Sequence, residues 1–99
     1  MGYYTYYDLE VEGITDNVDY KHEIAEISGY TNLFDGLYKW YDHEQDMRKL
    51  SARYPECLFT LRGEGEESGD IWVEYHKNGK MQRCEAKITF DPFDESLMT

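Results

Sequence analysis

Cysteine, basic residues and long apolar runs are scarce in this chain, and each shortage excludes a class of protein. Two cysteines in 99 residues are too few for the disulfide framework that small secreted domains use in place of a large core. Cys57 and Cys84 both fall in strand-like apolar patterns and are expected as buried free thiols. No apolar run approaches the ~20 residues needed to cross a bilayer, and the N-terminus lacks the basic, then apolar, then small-residue pattern of a secretory signal. A cytoplasmic location with no membrane partner is the expectation. Ten lysines and arginines face 21 aspartates and glutamates, a formal net charge of −11. Such a polyanion repels nucleic acid, so no direct nucleic-acid contact is expected, and it is drawn to basic grooves, including those that hold DNA or RNA.

What is present argues for a folded domain. Hydrophobic residues make up 40% of the chain and ten residues are tyrosines, which an acidic disordered segment would lack. The length allows one core of two packed layers. Residues 1–90 are read as a single domain and 91–99 as an acidic C-terminal tail, with no repeat, linker or low-complexity segment.

Tyr3 to Val11 alternates with period two, Tyr3, Thr5, Tyr7, Leu9 and Val11 on one side and Tyr4, Tyr6, Asp8 and Glu10 on the side expected to face water. Val18 to Ser28 spaces Tyr20, Ile24 and Ile27 as a helix and ends at Gly29. Leu37 to Tyr41 is a short strand. Asp42 and Gln45 have the spacing of a reciprocal capping box, after which His43, Met47, Leu50 and Tyr54 share a helical face up to Pro55. Cys57 to Arg62 alternates as a third strand, closed by a glycine- and glutamate-rich loop from Gly63 to Asp70. Asn78-Gly79 then marks a two-residue type I′ hairpin that pairs Lys77 with Lys80, His76 with Met81, Glu74 with Arg83 and Val73 with Cys84. Apolar partners favour an inner face of Ile71, Val73, Tyr75, Cys84, Ala86 and Ile88, with Glu74 and Arg83 outside. The whole reads as α+β, order β-α-β-α-β-β-β, a mostly antiparallel sheet of about five strands with two helices on one face, a ferredoxin-like variant.

No constellation carries a catalytic argument. His22, His43 and His76 lack zinc-ligand spacing, no serine stands in a nucleophile elbow, and among 21 carboxylates close pairs arise by chance. Glu64, Glu66, Glu67 and Asp70 do not follow the calcium-loop order, so they are read as a solvated loop and a contact surface rather than a metal site. Gly63-Glu64-Gly65 would repel the phosphate that a glycine loop cradles. Tyr3, Tyr4, Tyr6, Tyr7, Tyr38, Trp40, Tyr41 and Trp72 would suit a base-stacking platform, but the neighbouring charge is of the wrong sign. Tyrosine and tryptophan also serve protein interfaces. The expected protein-binding residues are Glu64, Glu66, Glu67, Asp70, Asp8, Glu10, Tyr4, Tyr6 and Trp72, with no catalytic residue, metal or cofactor.

The run Lys39 to Glu44 (KWYDHE), followed by Leu58-Phe59-Thr60-Leu61, Gly63-Glu64-Gly65-Glu66-Glu67, Gly69-Asp70 and Trp72, resembles a pattern in small proteins of bacteriophages and prophages. It also resembles the ferredoxin-like domain of phage and plasmid proteins near anti-restriction genes. The similar stretch runs from about Leu37 to Lys80 and brings no catalytic residues with it. The resemblance implies a non-enzymatic inhibitor of a host defence protein, of anti-CRISPR or anti-restriction type, occupying a basic nucleic-acid-binding groove. Two alternatives stand beside it: a small accessory or assembly subunit or homodimeric interaction module, joined through the aromatic sheet face, and a small-ligand or metal-binding protein.

Overall fold

The computed structural model describes residues 3–13 and 19–99. Its elements are β1 (Thr5–Glu12), α1 (Tyr20–Ser28), β2 (Leu37–Tyr38), α2 (His43–Arg53), β3 (Leu58–Gly65), β4 (Ile71–Lys77) and β5 (Lys80–Glu85), with a 3-10 turn at Glu95–Leu97. The strands form one sheet in the order β2-β1-β3-β4-β5, every neighbouring pair antiparallel. Class and element order are those read from the sequence. Because β1 lies between β2 and β3 and opposes both, β2-α2-β3 is a split βαβ unit of the ferredoxin-like kind. A full ferredoxin-like sheet has two such units, whereas here α1 joins adjacent antiparallel strands and β3-β4-β5 run as a meander.

Side-chain alternation along β1 puts Thr5, Tyr7 and Leu9 in the interior and Tyr6, Asp8 and Glu10 in water. Tyr20 and Ile24 of α1 and Met47 and Leu50 of α2 pack against Tyr7, Leu9, Phe59 and Leu61 of the sheet, and Leu33 and Trp40 complete the core. The Asp19 carboxylate caps α1 by accepting from the His22 amide at 3.1 Å, and Gly29 ends the helix with its N–H on the Ala25 carbonyl. Val18, expected within this helix, lies outside the described residues. Asp42 precedes α2 as expected, but its side chain makes no capping bond. Its backbone, at φ −92° and ψ 21°, is not the extended conformation that turns an N-cap side chain toward the first-turn amides. The entry to α2 is fixed instead by Trp40, whose Nε1 donates to Asp46 Oδ2 at 2.7 Å.

Two expectations are corrected. The loop expected from Gly63 begins later, because β3 continues through Gly65, with Glu64 paired to Tyr6 on one side and Ile71 on the other. A Cβ on Gly63 would lie 2.1 Å from the Trp72 ring, and one on Gly65 would lie 2.1 Å from Asp70 Oδ2 and 2.3 Å from the Tyr3 hydroxyl. These glycines make room for an indole and a phenol; they do not turn the chain.

The second correction concerns the hairpin. Asn78 and Gly79 have φ +51° and +77°, and the register is the expected one from Lys77↔Lys80 to Trp72↔Glu85. The faces are reversed, however. Trp72, Glu74 and His76 are buried, while Tyr75 is exposed and Ile71, Val73 and Cys84 are half-buried on the outer side. The cause is β3, which places Phe59 opposite His76, Leu61 opposite Glu74 and Gly63 opposite Trp72. Directly opposed residues share a face, and Phe59 and Leu61 lie beneath the helices. Ala86 and Ile88, expected inside, are exposed. Both cysteines are free, Cys57 in the core and Cys84 on the outer face.

Candidate functional site

The sheet face away from the helices carries the acidic surface. Period-two alternation brings Tyr6, Asp8, Glu10 and Glu12 out on β1, and pairing with β3 sets Glu64 beside Tyr6 and Arg62 beside Asp8. Arg62 is the one cation on the outer face of these two strands, against four carboxylates. Tyr6, Asp8, Arg62 and Glu64 line an open cleft of about 420 Å³. Tyr4 extends the patch past the start of β1, with the Lys39 ammonium 4.8 Å above its ring. Carboxylates on alternate residues of β1 repeat at about 6.7 Å, a rigid array rather than a flexible acidic segment.

The nine expected contact residues therefore divide. Tyr4, Tyr6, Asp8, Glu10 and Glu64 are brought together on this face, and Glu66 and Glu67 are exposed in the loop after β3. Asp70 and Trp72 lie elsewhere. Asp70 accepts a hydrogen bond from the Tyr3 hydroxyl, which also receives the Glu67 amide N–H at 3.0 Å, so this acidic loop is tied to the strand entering β1. The bond to Asp70 holds the Tyr3 phenol above its ordinary pKa. Trp72, expected at the surface, is buried on the helix side above Gly63 and is corrected to a core residue.

Beneath the helices lies a polar cluster that sequence reasoning placed outside. Glu74 is 1% exposed and accepts three hydrogen bonds: His43 Nδ1 at 3.1 Å and His76 Nε2 at 3.0 Å on Oε1, and Arg83 Nη1 at 2.8 Å on Oε2. Burial pushes the carboxyl pKa up, but the bonds and charge of His43 and His76 outweigh it and bring it down to about 2. The Trp72 ring packs against the His43 ring, stacked at 4.8 Å, and the Arg83 guanidinium, 4.5 Å from its centroid. The Arg83 Nε continues to Glu85 at 2.8 Å. His76 Nδ1 is buried without a partner among the described residues.

His43, Trp72 and Arg83 also border a cleft of about 200 Å³ whose rim is Tyr3, Tyr41 and Asp70. Its lining holds no serine or cysteine; the hydroxyls that line it are those of Thr5, Tyr3, Tyr7 and Tyr41. Among the described residues no group of three or more histidines, cysteines or carboxylates is arranged to hold a metal ion, and no helix is long and apolar enough to cross a membrane. The available sequence signal for the cluster was the Glu74↔Arg83 pair with His76 two residues on; what it lacked was the face.

Comparison of the chain with protein-family models, with curated proteins and with solved structures finds no match.

Proposed function

We propose that this protein is a non-enzymatic binding protein that occupies a basic, nucleic-acid-handling groove on another protein, with the outer face of β1 and β3 as its contact surface. The observation that carries this reading is the fixed display of Asp8, Glu10, Glu12 and Glu64 around Tyr6 and Tyr4, with Arg62 as their single counter-charge on those strands. Sheet-held carboxylates lose less freedom on binding than carboxylates on a mobile tail, and the tyrosines add rigid contact area. The net charge of −11 would steer such an encounter and make it sensitive to salt. The resemblance to small phage and prophage proteins makes a host defence nuclease, a CRISPR effector in the first instance, the target to try.

The test is competition. The protein is titrated into a purified CRISPR effector bound to labelled nucleic acid, at low and at physiological salt, and displacement is read by fluorescence anisotropy. The triple variant Asp8→Lys, Glu10→Lys, Glu64→Lys is expected to weaken displacement at least tenfold and to flatten its salt dependence. Glu66→Lys with Glu67→Lys, at the loop, should have the smaller effect. Displacement that survives the triple reversal would remove this face from consideration, and no displacement of any such effector would remove the target class.

A further inference from the structure

The chain does not end with the sheet. From Glu85 to Thr99 every residue is exposed, including Ile88, Phe90, Phe93, Leu97 and Met98, and Phe90 and Phe93 are 91% and 79% exposed. Large apolar side chains gathered in water usually mark a contact surface. The longest dimension of the molecule, 55 Å, is about twice the ~26 Å span of an eight-residue strand, in keeping with an arm that leaves the domain. Part of the ordering of this arm is already built in. Pro92 fixes its own φ and biases Asp91 toward extended backbone. Asp94 then accepts from the Ser96 amide at 3.0 Å and the Ser96 hydroxyl at 2.7 Å, which sets the 3-10 turn. The result is a stiffened segment in which aromatics and acids are adjacent: Phe90-Asp91, then Phe93-Asp94-Glu95.

A surface of matching chemistry lies at the hairpin end of the sheet. Pro55, Leu58, Tyr75 and Met81 form the apolar walls of an open groove of about 500 Å³, and Lys77 and Lys80 also line it. The two lysines are cross-strand partners flanking the Asn78-Gly79 turn. Like charges directly opposed are unfavourable. Among the described ion pairs neither lysine has a carboxylate. In a chain with 21 carboxylates, two facing lysines without an anion beside an apolar groove fit a segment that brings acids and aromatics together.

The arm departs from Glu85, the opposite end of β5 from Lys80 and about 17 Å along the strand, and Phe90 and Phe93 are in water rather than in their own groove. We propose that the arm of one copy, residues 86–99, seats Phe90 and Phe93 in the groove of a second copy, with Asp91 and Asp94 against Lys77 and Lys80, and that the second copy returns the same contact. Such a reciprocal exchange is isologous and closes as a dimer. The groove shares Leu58 with the outer face of β3 but none of the carboxylates or tyrosines of the proposed target-binding surface, so different substitutions test the two readings.

The test uses the full chain in sedimentation velocity over a range of concentration and salt. The expected result is a monomer–dimer equilibrium that salt weakens. Phe90→Ser with Phe93→Ser, and separately Lys77→Glu with Lys80→Glu, should each raise the dissociation constant at least tenfold, with circular dichroism unchanged because all four side chains are exposed. Two further results separate arm exchange from any other dimer. Adding Asp91→Lys to the lysine-reversed chain, with Asp94 kept because it sets the turn, should recover part of the association, and mixing the arm-defective with the groove-defective chain should give heterodimers held by their one intact junction. A monomer at every concentration overturns the proposal, including one whose arm cross-links to its own groove. So does a dimer that neither pair of substitutions weakens.

Discussion

Replacing Glu74 with glutamine removes one charge and unsettles two imidazoles and a guanidinium, and the cost can be worked from the geometry. The carboxyl sits near pKa 2 in the fold against an ordinary 4.5. That lowering corresponds to about 3 kcal/mol of stability supplied by the ionised form. Because the folded value lies below the unfolded one, the contribution is complete above about pH 4.5 and drains away as pH falls toward 2. The variant loses it at every pH and leaves His76, which is fully buried, facing an amide. Arg83 can retain Glu85 and water, so the loss should stay near the lower end of the roughly 3–5 kcal/mol seen when one partner of a buried ion pair is removed. For a chain of this size the equivalent fall in Tm is about 12–24 °C. Urea unfolding followed by the emission of Trp40 and Trp72, at pH 7, 5 and 3, gives both quantities. The gap between parent and variant should be about 3 kcal/mol at pH 7 and should narrow on acidification. A gap below about 1 kcal/mol, within what a single neutral hydrogen bond contributes, or one that does not change with pH, would refute the reasoning.

Other substitutions test the rest of the frame. Gly63→Ala forces a methyl into the Trp72 ring, against which His43 and Arg83 also pack, and should cost about 1–3 kcal/mol by urea unfolding, with altered near-UV dichroism. Asp46→Leu leaves the buried Trp40 indole N–H without its acceptor and should cost about 1–3 kcal/mol, with Asp46→Asn recovering part of it in the same assay. Gly79→Ala strains the type I′ turn at φ +77° and should cost about 1 kcal/mol by thermal melting.

Much of the fold was legible because local rules agreed with one another. Asn78-Gly79 fixed six cross-strand pairs, Gly29 and Pro55 ended their helices, and alternation along β1 put the correct residues in water. The inside of β4 was misread because hydropathy favoured Ile71, Val73 and Tyr75, whereas the choice belonged to β3. Phe59 and Leu61 had to face the helices, and their partners His76 and Glu74 followed them regardless of polarity. That burial is tolerable because α2 supplies His43 and β5 supplies Arg83, and neither neighbour can be read from β4 alone. Gly63 and Gly65 misled for a related reason, since their meaning depends on Trp72 and Tyr3 arriving from distant parts of the chain. Of the expected contact residues, those of β1 lie in water as read and Trp72 does not, the same error of face.

The reversed hairpin divides the molecule into halves held by different forces. Around α1 and β1, helix and sheet adhere as oil does, through Tyr20, Ile24, Leu9 and Phe59; where α2 meets β4, a carboxylate and the three side chains hydrogen-bonded to it share that task. Cooling weakens the first kind of adhesion and acid weakens the second. Chilled and acidified samples should therefore loosen from opposite sides, each stress exposing the layer that the other leaves shut.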